Sequence, residues 1–407
     1  MKIPFSEFEI AYKKLKKFLP PTPLIKNDWL SSKYGANVYL KLENLQPVGS
    51  FKLRGAINKM ANFSDEQKAK GVVAVSAGNH AQGVAWSAKR LGIESTIIMP
   101  KLSPLVKIYN TESLGAEVIL EGDNVDESFE FCKLYMEKND KIFVHPFHDP
   151  EVIAGQGTIA FELKEQIDNI DFLFGSIGGG GLMVGMGTVL KKLMPEVKLV
   201  AAQASGACSM VKSLQQGKLV TSSSVATFAD GIKVKNPNPE MYELLDSVID
   251  EAVHVPDNMI AASVLRLMEQ AGVIAEGAGA INLAAFHELY EANPRRFKNK
   301  NIVLVICGGN IDINLIDRII DRGLVETNRR MNISILLDDK PGMLKSLTNL
   351  LSEAGANILE IQHERSTPHI ELQQSIVRAT LETKGAAHSE QILKKVTDEF
   401  TIFKSEL

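Results

Sequence analysis

At 407 residues, with 45% hydrophobic and 23% charged side chains, the chain is long for a single core and has the composition of a globular protein of roughly two to three domains. A formal net charge of -4 and a pI near 6.1 exclude the basic domain or stripe that grips nucleic acid or an anionic membrane, so small molecules are the expected ligands. Three scattered cysteines, Cys132, Cys208 and Cys307, exclude a disulfide framework and a zinc cluster and fit a reduced, cytoplasmic compartment.

The N-terminus predicts an amphipathic helix. Ser6 and Glu9 have capping-box spacing, Phe8, Tyr12, Leu15 and Leu19 share one face, and Lys13, Lys14, Lys16 and Lys17 form a solvated side. Glu7 and Glu9 speak against a transit peptide, and no apolar stretch is long enough to span a bilayer. Pro20, Pro21 and Pro23 stop the helix. Residues 38–43 alternate as a strand, and the loop after them delivers Ser50-Phe51-Lys52-Leu53-Arg54-Gly55-Ala56 into a predicted helix. Strand, turn and helix then repeat: 72–75 before the turn Ser76-Ala77-Gly78-Asn79-His80, 96–99 before Pro100, and 117–120 before Gly122. Such alternation implies a parallel sheet with helices on both faces, a small subdomain spanning roughly 41–144.

A second sheet starts at 172–174, which run into Gly175-Ser176-Ile177-Gly178-Gly179-Gly180-Gly181-Leu182 and a helix with Leu182, Met186, Val189 and Leu193 on one stripe. Residues 198–202 and 302–306 supply further strands, the latter apolar throughout, as suits a strand buried on both faces, and Cys307-Gly308-Gly309-Asn310 follows it. Asp257 is the expected N-cap of a helix carrying Ile260, Val264 and Leu267. The charged stretch 321–330 separates this body from a tail in which strands at 332–337, 357–363, 371–383 and 401–403 alternate with helices at 343–354 and 389–400. That order is the split β-α-β pattern of a ferredoxin-like fold, small enough to be expected to pair with a second copy.

Four consecutive glycines are costly unless the backbone must open or something must approach it closely; a tight turn needs one or two. Between a strand and a helix they present amide hydrogens and the positive helix end to a phosphate. There is no G-x-x-x-x-G-K-[ST], and the run from Gly178 misses G-x-G-x-x-G at Met183. Gly155-Gln156-Gly157-Thr158-Ile159-Ala160 matches a relaxed dinucleotide motif but has no strand before it and no acid ~20 residues on, so helix packing is its expected role. A cofactor with one phosphate that also needs a lysine is pyridoxal phosphate. Lys52 alone reads equally as a surface lysine; its company at strand ends, where open α/β sheets hold ligands, sets it apart.

Five motifs occur in order: S-F-K-x-R-G-A at Ser50 to Ala56, S-A-G-N-H-A-Q-G at Ser76 to Gly83, G-G-G-G-L at Gly178 to Leu182, A-D-G at Ala229 to Gly231, and C-G-G-N at Cys307 to Asn310. On these the chain resembles the threonine ammonia-lyases (threonine dehydratases), fold-type II, tryptophan synthase β-like pyridoxal-phosphate enzymes, with a single C-terminal ACT domain. The resemblance implies an α/β catalytic domain over 1–323 built from two parallel-sheet subdomains, a linker over 324–330, and a ferredoxin-like ACT regulatory domain over 331–407. It also implies that Lys52, beside Phe51, carries pyridoxal 5'-phosphate as a Schiff base and that Asn79 bonds the ring hydroxyl. Gly178, Gly179, Gly180, Gly181 and Leu182 bind the phosphate, and Cys307 faces the pyridine nitrogen. Ser76, Ala77, Gly78, Asn79 and His80 receive the substrate carboxylate.

The implied reaction is β-elimination of water from L-threonine to give 2-oxobutanoate and ammonia, with L-serine giving pyruvate. Lys52, freed as a neutral amine, is the expected base for the α-proton. A thiol facing the ring nitrogen leaves it largely neutral, a weaker electron sink that elimination tolerates. The similar serine racemases place a hydroxyl residue where this chain has Ala77, which cannot move a proton; they also bind a divalent cation through acidic side chains near 203–209, a segment that has none here, so no tight magnesium site is expected, and a weaker monovalent site stays open. Asp339-Lys340-Pro341-Gly342-Met343-Leu344 resembles the first turn of ACT domains, which implies an effector pocket for an amino acid such as isoleucine or valine, or for a nucleotide. An inert dimerisation domain is the alternative for the tail, and a non-catalytic amino-acid-binding regulator the alternative for the whole chain, though a binder has no need of a Schiff-base lysine. A homo-oligomer, dimer or tetramer, is expected.

Overall fold

The strands of the first unit, Met1–Ile313, are β1 (Leu24–Lys26), β2 (Asn37–Leu42), β3 (Val72–Val75), β4 (Ser95–Met99), β5 (Glu117–Leu120), β6 (Ile142–Phe143), β7 (Phe172–Ser176), β8 (Lys198–Ala204), β9 (Glu251–Val255) and β10 (Asn301–Ile306). The computed structural model describes residues 1–222, 224–366 and 370–403. β10, whose Ile302 to Ile306 are all buried, runs parallel between β2 and β7 in a sheet ordered β1-β2-β10-β7-β8-β9, with β1 the antiparallel edge. Val72, Val73, Ala74, Ile97 and Ile98 fill the middle of a second, wholly parallel sheet ordered β5-β4-β3-β6. These are the two expected parallel-sheet subdomains, and the motif loops leave the C-terminal ends of β3, β7 and β10, where such sheets bind ligands. β1, of three residues, and β9, which alternates weakly, escape periodicity.

Gly155 and Gly157 lie inside the Pro150–Gln166 helix and pack it, as their sequence context suggests. A Cβ on Gly155 would lie 2.5 Å from the Arg54 carbonyl oxygen, and one on Gly157 2.5 Å from the Phe8 ring. The helix that begins with Lys52 is thereby pressed against its neighbour.

Two local expectations are corrected. The first helix is Phe5–Leu15, entered from Pro4 with no side-chain cap, so Ser6 and Glu9 form no capping box: proline's fixed φ of -59° starts the helix early and places Ser6 inside it. Asp257 is the first residue of the Asp257–Ala271 helix and does not cap it; its carboxylate accepts from Thr227 Oγ1 (2.7 Å) and the Phe228 amide (3.0 Å), which ties down the loop before Ala229. The charged stretch 321–330 runs from the end of the Ile316–Glu326 helix, where Ile316, Ile319, Ile320 and Leu324 recur at helical spacing, to the start of a strand at Arg330.

The second unit, Asn314–Leu407, contains β11 (Arg330–Asp338), β12 (Asn357–Glu364), β13 (Gln374–Glu382) and β14 (Thr401–Ile402) in an antiparallel sheet ordered β12-β13-β11-β14. Helices Met343–Glu353 and Ala386–Glu399 cover it, burying Leu347, Leu351, Ile392 and Val396 against Ile335, Leu337 and Leu381. This is the ferredoxin-like order; residues 404–407, assigned to the same domain from the sequence, lie outside the described residues. Among the described residues, no helix is long and apolar enough to cross a membrane.

Candidate active site

Lys52 opens the Lys52–Met60 helix and is held there from two sides. Ser50 bridges to Gly308, and the Phe51 amide donates to the Cys307 carbonyl at 3.0 Å, which fastens the loop to the end of β10. On the other side, Gly83 lets the Asn79–Leu91 helix approach so closely that a Cβ there would lie 3.2 Å from the Lys52 carbonyl carbon. Lys52 Nζ donates to the Pro146 carbonyl at 2.8 Å. Burial lowers its amine to about 8, against the opposing pull of Cys307 and Glu276. Phe51 lies beside it, its ring centroid 5.2 Å from Nζ.

The turn that supplies Pro146 O is fixed by His145, whose Nδ1 accepts from the amides of Phe147 (3.2 Å) and His148 (2.8 Å). Burial, with the charges of His148 and Lys52, takes His145 down to about 4, so the ring is neutral and that nitrogen can accept. Phe147 reaches the glycine run directly. A Cβ on Gly179 would lie 2.2 Å from its ring and one on Gly181 3.0 Å from its carbonyl oxygen, while Gly180 has a φ of +95°. The glycines are therefore demanded partly by protein neighbours; what they leave for a ligand is backbone. Among the described residues, the amides of Gly178 to Leu182 donate to no protein acceptor, and they stand at the N-terminus of the Gly181–Leu193 helix. A phosphate fits that set of donors.

In the second turn the Ser76 hydroxyl accepts from the Gly78 amide at 3.1 Å, and among the described residues the amides of Ala77, Asn79 and His80 find no acceptor at a helix N-terminus. The His80 side chain takes no part in that opening: it is buried and Nε2 donates to the Val144 carbonyl at 2.7 Å. Burial, then the Lys52 charge, pushes its pKa down to about 3. Only the His80 backbone is available to a substrate carboxylate.

Cys307, at the end of β10, is a neutral thiol: burial, then the Glu276 charge, pushes it up to about 12. Sγ donates to the Ala278 carbonyl (3.2 Å) and accepts from Ser176 Oγ (3.4 Å). Asn79 donates from Nδ2 to Glu276 Oε1 at 2.6 Å and accepts at Oδ1 from Asn310 Nδ2 at 2.7 Å. Burial pushes the Glu276 carboxyl up to about 7, against the Asn79 hydrogen bond and the Lys107 charge.

Lys52, Phe51, the two turns and Cys307 are thus linked to one another through Pro146, Phe147 and Glu276. Reading the sequence missed Ser176, hidden inside the strand before the glycine run, and Glu276. The only signal for Glu276 is an acid directly ahead of the glycine-rich start of the Gly277–Ala292 helix.

Residues 15–308 match the pyridoxal-phosphate dependent enzyme family, and residues 331–398 match the ACT domain family. The chain is 44% identical over 390 residues to the L-threonine ammonia-lyase of Thermotoga maritima, an alignment that covers 96% of each chain. Threonine deaminase isoform 2 from Solanum lycopersicum, in its processed form, matches with a TM-score of 0.73 at 36% identity, covering 78% of this chain and 87% of that one. Maize serine racemase matches with a TM-score of 0.74 at 29% identity, covering 81% and 100%.

Proposed function

Since the chain belongs to the pyridoxal-phosphate dependent enzyme family and carries an ACT domain, we propose that it deaminates L-threonine to 2-oxobutanoate and ammonia, and L-serine to pyruvate and ammonia. The observation that carries this reading is a half-buried amine, Lys52, joined through Pro146 and Phe147 to a row of backbone donors at Gly178 to Leu182. Pyridoxal phosphate, when bound, supplies an electron sink for the bonds at the substrate's α-carbon. Lys52 and the Gly178 to Leu182 amides would hold it, and Phe51, Asn79 and Cys307 would contact it. The Ser76 to His80 turn takes the substrate carboxylate and so orients the α-proton toward Lys52 Nζ.

An amine near 8 is mostly protonated at neutral pH but keeps about a tenth of its population neutral, far more than an ordinary lysine, and that fraction can accept the proton. The neutral Cys307 thiol cannot supply the charge that would keep a ring nitrogen protonated, which favours elimination over routes with a longer-lived carbanion. Ala77 offers no proton to a second face of the substrate, which favours a lyase over a racemase. The second unit is proposed to bind an amino-acid effector, isoleucine or valine, and to act within a homo-oligomer.

Turnover of L-threonine, L-serine and D-serine by cofactor-loaded protein, with and without isoleucine, valine and AMP, tests the proposal. The expected result is 2-oxobutanoate and ammonia in equal amounts from L-threonine, less pyruvate from D-serine than from L-serine, and inhibition by an amino-acid effector. Absence of 2-oxobutanoate would overturn it.

The lowered Lys52 pKa has its own consequence. Cofactor attachment needs the neutral amine, so the rate at which apoprotein reloads pyridoxal phosphate should rise about tenfold per pH unit below 8 and flatten above it. A stopped-flow pH series checks this; a rate still climbing steeply at pH 9 to 10, roughly the range of an unperturbed lysine, contradicts it.

A further inference from the structure

The Asn79 carboxamide is over-determined. Asn310 Nδ2 donates one proton to the Val48 carbonyl at 2.8 Å and the other to Asn79 Oδ1 at 2.7 Å, so the nitrogen end of Asn310 faces two acceptors and cannot be turned. Asn79 must then present oxygen to Asn310 and nitrogen to Glu276, 2.6 Å away. Glu276 offers Asn79 an accepting oxygen in either protonation state. One Nδ2 proton of Asn79 is left over.

The head of Glu276 fits between two glycines. A Cβ on Gly308 would lie 2.3 Å from Glu276 Oε1, and one on Gly231 3.3 Å from it. Its backbone is fixed as well: the Glu276 amide donates to the Gly308 carbonyl at 3.1 Å, and its own carbonyl accepts from Gly279 at 2.9 Å. Three motifs far apart in the chain, around Asn79, Gly231 and Gly308, therefore meet at this one carboxyl group. Among the described residues, no other hydrogen bond of its side chain competes for it.

We propose that Glu276 and Asn310 are positioning residues that lock the Asn79 carboxamide in one orientation and reserve its remaining N–H for the ring oxygen of the cofactor. The proposal rests on the reading of Asn79 given above and deepens it. Each acts through its hydrogen bond to Asn79.

Titration of apoprotein with pyridoxal phosphate, followed by absorbance, tests this apart from activity. Glu276→Ala is expected to weaken cofactor binding about tenfold, the loss of one strong hydrogen bond's orienting effect, and to change the ratio of the long- and short-wavelength bands of the bound cofactor. Glu276→Gln, which keeps an accepting oxygen, is expected to stay within about twofold of the wild type. Asn310→Asp sets an oxygen against Asn79 Oδ1 and is expected to behave like Glu276→Ala. In an Asn79→Ala background, Glu276→Ala is expected to have no further effect, which a general structural role would not produce.

Wild-type binding and spectra in Glu276→Ala, or a loss that persists undiminished without Asn79, overturn the proposal. If Glu276→Ala does not fold, wild-type behaviour of Asn310→Asp overturns it equally. If Asn79→Ala itself binds and absorbs like the wild type, the reading of Asn79 fails, an outcome distinct from one in which only the Glu276 and Asn310 variants are silent.

Discussion

Lys52→Ala is expected to lower threonine turnover by at least about 10⁴-fold while leaving the fold at least as stable as before. On the role proposed for Lys52, the variant loses two functions at once, the covalent hold on the cofactor and the base for the α-proton, and a positioned base alone is worth about 10²–10⁴-fold. The stability half of the expectation follows from the sign of the pKa shift. Lys52 is lowered from 10.5 to about 8, so the folded chain binds that proton less tightly than the unfolded chain does. Below about pH 8 the protonated lysine therefore counts against folding, and alanine removes the conflict. The loop stays fastened by the Ser50–Gly308 bridge and the Phe51–Cys307 hydrogen bond, neither of which uses the lysine side chain. Turnover above about one hundredth of wild type, or a thermal midpoint well below it at pH 7, would show that Lys52 is a structural residue and not the catalytic one.

Which residues were legible in the chain follows from how each one is held. Lys52, the glycine run and the Ser76 turn stand at strand-to-helix junctions, where local composition and connectivity carry the signal, and all of them came together. Glu276 was invisible because its partner Asn79 is 197 positions away and the pairing exists only after both sheets have formed. The capping box at Ser6 failed because a proline two residues earlier already satisfied the helix entry. Lys41 and Glu43 fall in an alternating segment, a pattern that places charges toward water; both are fully buried, since charge partners from elsewhere in the chain allow it. Periodicity registers where a side chain points and is blind to what meets it there.

Those partners make Arg54 the residue on which the first unit's stability should depend most. Its guanidinium grips Glu43 through Nε and Nη2 at 2.7 and 2.8 Å and Glu162 through Nη1 and Nη2 at 2.6 and 2.9 Å, and Lys41 Nζ lies 2.6 Å from Glu162, all of them buried. Arg54→Met keeps the apolar stem but leaves the two carboxylates with the Lys41 charge alone. Breaking one side of a buried ion cluster costs about 3–5 kcal/mol, more than a single surface pair could. The pH dependence separates this cause from lost packing. Burial alone would raise the Glu43 pKa, and Arg54 overcomes it, so in the wild type Glu43 sits below 4.5 and contributes stability that is present above that pH and lost as the pH falls through its folded value. Without Arg54, burial prevails, the carboxylate takes up a proton more readily than in the unfolded chain, and acid relieves the variant. The stability gap measured by urea unfolding should thus be widest near neutrality and narrow as the pH falls toward 5, and replacing Glu43 and Glu162 by leucine alongside Arg54→Met should recover much of it despite the unpaired Lys41. A gap that does not change with pH would mean that Arg54 serves as packing, and that its charge is incidental to the fold.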